Sequence, residues 1–156
     1  LGYTCGMALM NSGELYHWGY GGHGQNGDAS TNNRDHPVRV GGSNQNVYLA
    51  ANSSTHIFKD VRIKRCWISN VMDGQNTDTH SCYALDENGN LYSWGYNGYG
   101  QLGTNNTTNY STPQLIDKAT YFNNNEIEHI WCSGGNYVMV HAVDTAGNLY
   151  AWGRNN

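Results

Sequence analysis

The strongest constraint on this chain is a motif that recurs in register. GELYHWGYGGHGQNG at residues 13–27 is matched by GNLYSWGYNGYGQLG at residues 89–103, which places Trp18 and Trp94 94 − 18 = 76 positions apart. Pro37 and Pro113 are separated by the same 113 − 37 = 76 positions, so the two copies stay aligned well beyond the motif. GNLYAWGRNN at residues 147–156 begins it a third time, with Trp152 at 152 − 94 = 58 positions after Trp94. A period of this length marks a repeat architecture, in which each unit buries its faces against its neighbours.

The middle copy shows what one unit contains. Cys82 to Leu85 is a short apolar run, and Asp86-Glu87-Asn88-Gly89 follows it. Asn-Gly is a hairpin signal because both residues tolerate positive φ. Leu91 to Trp94 then alternates, with Leu91 and Ser93 on one face and Tyr92 and Trp94 on the other. Gly95, Gly98, Gly100 and Gly103 punctuate a loop that no helix would accept. Thr112 to Ile116 reads as a further strand, with Pro113 at its start where no ladder donor is lost. Upstream, IKRCWIS at residues 63–69 aligns with the stretch from Ile127 to Ser133, setting Trp67 against Trp131.

Each unit thus holds four antiparallel strands. A four-stranded sheet with two apolar faces is stable when stacked around an axis, which is the propeller solution. The expected fold class is all-β: a β-propeller of four-stranded antiparallel blades, incomplete in this chain. It forms one partial domain over 1–156, with units at 1–42, 60–117 and 126–156 and an insertion at 43–59. Closed propellers have about 4–8 blades, and about two and a half are legible here, so the sequence is expected to be a piece of a longer chain or to close by other means. The insertion contains VYLAA and THIF, which could pair as an extra hairpin; a second insertion lies in the turn 72–78.

The stretch WGYNGYGQLG at 94–103, with ALDENGNLYS before it and TPQLI after it, resembles a repeat of the regulator of chromosome condensation family. The resemblance covers nearly the whole chain outside the two insertions, and it implies a propeller scaffold more than an activity. Members of that family include the exchange factor for the small GTPase Ran, which also binds nucleosomes, a secreted β-lactamase inhibitor, and modules within larger bacterial, eukaryotic and viral proteins. The first copy departs at Gly21 and Asn26, where the middle copy has Asn97 and Leu102. The family often carries a His three positions before the Ala of the second strand; Cys5, Ser81 and Met139 stand there instead, with His80 and His141 off register.

Composition narrows the chemistry. Eight Lys and Arg against 12 Asp and Glu give a net charge of −4, which argues against a broad nucleic-acid surface. Arg62, Lys64 and Arg65 read as a solvated strand face. No apolar run approaches the ~20 residues of a membrane span, so no membrane insertion is expected. Cys5, Cys66, Cys82 and Cys132 form no CxxC pair, and buried free thiols are expected, although Cys66 and Cys82 fall on adjacent strands where a bridge is conceivable. The glycine loops lack the Lys-Ser/Thr of a phosphate cradle. His17 and His23, with Asp28, Asp35 and His36, could form a loose metal site, but no HxH or HExxH pair occurs and packing histidines are the expectation. Asp86 and Asp144 are expected to support turns rather than catalyse. No catalytic residue, cofactor or metal is assigned, and the chain is read as non-enzymatic.

The residues left to carry function are loop residues. Tyr20, His23, Tyr96, Asn97, Tyr99, Gln101, Asn105 and Asn106 could form a flat polar-aromatic surface for a protein or glycan ligand, since tyrosine offers rigid area with a hydrogen-bonding tip. Sequons stand at Asn52, Asn105, Asn106 and Asn109. Low lysine, abundant Asn (22 residues), Gly, Thr and Tyr, and mild acidity resemble an extracellular or virion-surface protein, a tail fibre or adhesin. The alternatives are a cytoplasmic or nuclear regulatory propeller, such as a small-GTPase exchange factor or protein inhibitor, and a structural component packed by other subunits of a larger assembly.

Overall fold

The computed structural model of the protein describes residues 5–42, 57–69, 79–133 and 138–154. They form three antiparallel sheets and one helical turn. The first sheet contains β1 (Gly6–Leu9), β2 (Leu15–Gly19) and β3 (Arg34–Arg39). The second contains β4 (Ile63–Ile68), β5 (Ser81–Asp86), β6 (Leu91–Gly95) and β7 (Tyr110–Ile116) in chain order. The third contains β8 (Ile127–Cys132), β9 (Met139–Asp144) and β10 (Leu149–Gly153), again each beside the next. The short helix α1 (Lys118–Tyr121), capped by the Asp117 carboxylate accepting from the Ala119 amide, links the second sheet to the third. The candidate hairpin at 43–59 and the turn at 72–78 lie largely or wholly outside the described residues.

The alternation expected of β6 is present, yet both of its faces are buried. Cys82, Ala84, Tyr92 and Trp94 join Leu15, Val40 and Ile63 in one apolar cluster. Tyr83, Leu85 and Leu91 join Ile127, Ile130, Val140 and Ala142 in a second. Odd and even side chains of β5 and β6 therefore enter different interfaces, one towards each neighbouring sheet. This is why β5 and β6 are buried along their whole length.

The repeat motif fastens one sheet to the next. The Trp94 indole N–H donates to the Gln25 carbonyl at 2.9 Å, and Trp152 repeats this to Gln101 at 2.7 Å. Both tryptophans lie over a glycine of the preceding loop. A Cβ at Gly27 would come within 2.8 Å of the Trp94 ring, and one at Gly103 within 3.1 Å of the Trp152 ring. The Gln-x-Gly of each copy is thus a seat for the tryptophan of the following copy.

Asp86 and Asp144 serve their hairpins as the turn chemistry requires. The Asp86 carboxylate accepts from the amides of Asn88 and Asn90 at 2.9 and 2.8 Å, and Asp144 accepts from those of Ala146 and Asn148 at 3.0 and 2.8 Å. Arg65 donates to the Glu128 carbonyl and Arg62 pairs with Glu87, so the basic cluster lies along an exposed strand face. All four cysteines are unbridged; Cys66 pairs across the ladder with Ala84 and Cys82 with Ile68, so the two lie two positions out of line with each other.

Two expectations change, and one element is added. Pro113 does not open its strand: β7 begins at Tyr110, and Pro113 lies within the register shift opposite Ser93–Gly95, where the ladder is already interrupted. The helix α1, which the capping Asp117 alone marks in the sequence, brings Phe122 under Tyr150 and Trp152. Trp67 and Trp131 are not equivalent in burial. Trp67 packs edge-on against His129 of the third sheet, whereas Trp131 is 51% exposed, because among the described residues no sheet covers that face. Leu149 is 70% exposed for the same reason, while its counterpart Leu91 is buried.

Candidate functional site

Side chains of the loops β2–β3 and β6–β7 and of the segment after β10 meet one another. Each of the two loops is wound by tight turns: the Gly24 amide donates to Gly21 O and the Gly27 amide to Gly24 O, and Gly100 and Gly103 repeat the pattern with Asn97 and Gly100. Positive φ at Gly24 (+86°) and Gly100 (+74°) makes these turns possible.

Two of the proposed surface residues are interior to the loop. Asn97 is fully buried, and its amide donates to the carbonyls of Asn106 and Thr108 at 2.9 and 3.0 Å while its oxygen accepts from the Leu102 amide at 2.9 Å. Gln101 is also fully buried, and its side-chain oxygen accepts from the Tyr99 amide at 2.9 Å. A polar side chain surrounded by loop carbonyls and amides satisfies them better than water can, so Asn97 and Gln101 are loop scaffold and are corrected out of the surface. In the first loop Gln25 occupies the place of Gln101 and accepts from His23 N at 2.8 Å.

The exchange of Asn97 and Leu102 for Gly21 and Asn26 has a steric explanation. Asn26 donates to the Asn32 carbonyl at 2.9 Å, as Asn97 does to Asn106. A Cβ at Gly21 would fall 2.5 Å from the Asn26 amide nitrogen. The hub asparagine has moved five positions along the chain, and a glycine fills its former position to leave it room.

Four other candidates do come together. The Tyr20 and His23 rings are 6.0 Å apart, His23 and Tyr96 5.0 Å, and Tyr96 and Tyr99 6.1 Å, each centroid to centroid. The Arg154 guanidinium stands over the Tyr99 ring at 4.6 Å. This ladder crosses all three sheets. The Asn109 amide approaches His23 Nδ1 at 3.3 Å, and Asn109 also accepts from the Asn97 amide, tying the first loop to the second. Tyr20 and Tyr96 are half-buried, folded back over Gly22 and Gly98, where a Cβ would strike their phenol ends. Tyr99 is the most open tyrosine of the group at 37%.

Asn105 and Asn106 lie away from the ladder. Asn106 is exposed but engaged within its own loop, donating to Tyr110 OH at 3.0 Å and accepting from the Thr108 amide at 2.9 Å. Asn105, at φ +58°, borders a cleft of about 370 Å³ lined by Ile116, Tyr121, Phe122, Tyr150 and Trp152. The loose metal set is dispersed: Asp28 accepts from Arg34 at 2.7 Å, and Asp35 and His36 pair with each other in solvent.

Sequence reasoning passed over Arg154 and the tethering role of Asn109. Arg154 was accessible to it, since Tyr20, Tyr96 and Arg154 occupy one register: 20 + 76 = 96 and 96 + 58 = 154. A substitution of Tyr by Arg preserves stacking with an aromatic neighbour, and the register marks it as part of the same row.

The family profile of the regulator of chromosome condensation (RCC1) repeat matches residues 12–58 and 88–140, two stretches that begin 88 − 12 = 76 positions apart. The mouse (Mus musculus) E3 ubiquitin-protein ligase HERC2 is 28% identical over 153 residues, which is 98% of this chain and 3% of the ligase. The zebrafish (Danio rerio) Protein RCC2 homolog is 30% identical over 148 residues, 94% of this chain and 24% of that protein. Among solved structures, Prp20p from Saccharomyces cerevisiae, described with its binding to Gsp1p and histones, superposes with a TM-score of 0.62 at 18% identity, covering 99% of this chain and 31% of its own. The chain therefore spans less than a third of each of these relatives, and the last likeness is one of fold.

Proposed function

Because the chain belongs to the RCC1 repeat family, we propose that it is a non-enzymatic, protein-binding propeller segment of an intracellular regulatory protein, and that it engages its partner through the loop face carrying Tyr20, His23, Tyr96, Tyr99 and Arg154. The observation that carries this reading is the aromatic ladder, which runs from the first sheet's loop to the arginine after the third. Tyrosine and arginine dominate the energetics of protein interfaces because they combine large rigid area with polar tips. The scaffold beneath is organised in advance by Asn97, Gln101, Gln25 and Asn26, so little ordering cost falls on binding.

The relatives favour the intracellular alternative over the fibre or adhesin expected from composition. Ubiquitin ligation and histone binding are intracellular settings, and they concern proteins rather than glycans. The ligase activity named for HERC2 is not carried over, since this chain matches 3% of that protein.

The test uses the whole protein, with Gsp1p and core histones as separate probes in a solution binding assay. We expect saturable binding to one of them, and Tyr99→Ala should weaken it about 10–30-fold, equivalent to about 1.4–2 kcal/mol. Retention of neither probe, or wild-type affinity in Tyr96→Ala/Tyr99→Ala with an unchanged melting temperature, would remove the reading.

A further inference from the structure

On the strands behind the loops, the first two sheets bring together three side chains that are distant in sequence. Cys5 immediately precedes β1, His17 lies on β2, and His80 immediately precedes β5. One potential ligand atom from each lies within 4.8 Å of the other two. Both histidines are buried, at 0% and 2% exposure, and their rings stack at 5.5 Å.

The hydrogen bonding of these rings is incomplete in an informative way. His17 Nδ1 lies 2.8 Å from the Asn26 side-chain oxygen, which can only accept. Nδ1 therefore carries the proton and Nε2 carries the lone pair. Among the described residues that Nε2 is buried with no hydrogen-bond partner, and so are both ring nitrogens of His80. Native interiors seldom leave several polar nitrogens desolvated and unpaired at one spot. A ligand that accepts lone pairs would satisfy His17 Nε2 and the unprotonated ring nitrogen of His80. Burial disfavours the protonated form of both rings, and a neutral imidazole offers a ring lone pair to a metal ion.

We propose that Cys5, His17 and His80 bind zinc(II) between the first and second sheets. One thiolate and two imidazoles form a borderline-soft donor set that suits zinc and not magnesium or calcium. Ligands of a tetrahedral zinc at ~2.0–2.3 Å stand about 3.3–3.8 Å from one another, so modest side-chain rotation closes the observed spacing. Asn26 is the positioning residue: by accepting from His17 Nδ1 it fixes the tautomer that presents Nε2, as outer-shell carbonyls and carboxylates do for zinc-bound histidines. The site is particular to this pair of sheets. The middle copy has Ser81 where Cys5 stands, Ser93 where His17 stands and Leu102 where Asn26 stands. Ser93 donates to the Leu102 carbonyl instead, with no imidazole to orient. Expecting no metal followed from the absence of paired ligands in sequence; here two ligands come from one sheet and the third from the next.

The test is metal titration of the chelator-treated, reduced protein. Zinc(II) should bind at one equivalent, and cobalt(II) in its place should show a thiolate-to-metal charge-transfer band. At a hundredfold excess over Kd, zinc should raise the melting temperature by about 5–10 °C. Cys5→Ser, His17→Gln and His80→Gln should each abolish the band and the shift, whereas His36→Gln and His129→Gln should retain both. Asn26→Leu should weaken zinc binding about 10–100-fold while keeping the band. Melting temperatures in chelator establish that each variant is folded. Zinc binding that survives Cys5→Ser and His80→Gln, cobalt binding without a thiolate band, or uptake of copper(I) but not zinc(II) would overturn the assignment.

Discussion

Gly24, Gly100 and Gly147 form a set in which a similar positive φ meets three different surroundings. Their φ angles are +86°, +74° and +85°. Among the described residues a Cβ at Gly147 would meet nothing within 4 Å, and at Gly100 only the Asn106 carbonyl oxygen at 3.9 Å. At Gly24 the same atom would lie 2.5 Å from Ser111 Cα and 2.7 Å from Ser111 N, on β7 of the second sheet. Gly147→Ala and Gly100→Ala should therefore cost only the left-handed strain of an L-residue, about 1–2 kcal/mol. Gly24→Ala should cost that strain plus overpacking of about 1–3 kcal/mol, since main chain must move. At about 2–4 °C per kcal/mol for a domain of this size, the first two should lower the melting temperature by roughly 2–8 °C and the third by roughly 4–20 °C. Urea denaturation and thermal melts of the three variants side by side would measure this. Gly24 and Gly100 are the same position of the repeat, so any excess at Gly24 reports packing between sheets. Equal losses at all three would refute the argument that the first loop is pressed against the second sheet.

Trp94→Phe removes an indole donor from the Gln25 carbonyl and leaves a small cavity, for an expected loss of about 2–3 kcal/mol measured by urea denaturation; a loss below about 0.5 kcal/mol would show that the seat contributes little. Acid should act through Asp144. Burial presses its carboxyl upward, but the Asn148 side chain and amide, Asn125 and Tyr150 all donate to the ionised form and hold it well below the ordinary carboxylate range. The unfolded chain then binds the proton first, so this stabilisation is complete above the unfolded value near ~4 and is lost as pH falls further. Melting temperature against pH should show a shallower acid limb in Asp144→Asn, and an unchanged limb would place the acid sensitivity elsewhere.

Much of this molecule is legible in its residues taken in order. The 76-residue register, the Asp-x-Asn-Gly turn and the alternation through Trp94 determine the strands, their antiparallel pairing and the sheet boundaries, because hairpin chemistry and side-chain period act over a few residues. The same register contains the loop tyrosines and, read one copy further, Arg154. It could not separate Tyr99, open to solvent, from Asn97 and Gln101, sealed beneath it. All three are polar loop residues within five positions of one another, and which side the loop closes on depends on how its amides and carbonyls are satisfied. Nor could it distinguish Trp67 from Trp131, which occupy one repeat position but differ in what covers them. The meeting of Cys5 and His17 with His80 is further still from local pattern. It spans 80 − 5 = 75 positions and arises only because burying both faces of β5 and β6 forces adjacent sheets into contact, and that contact sets side chains of different copies against each other at places where the copies differ.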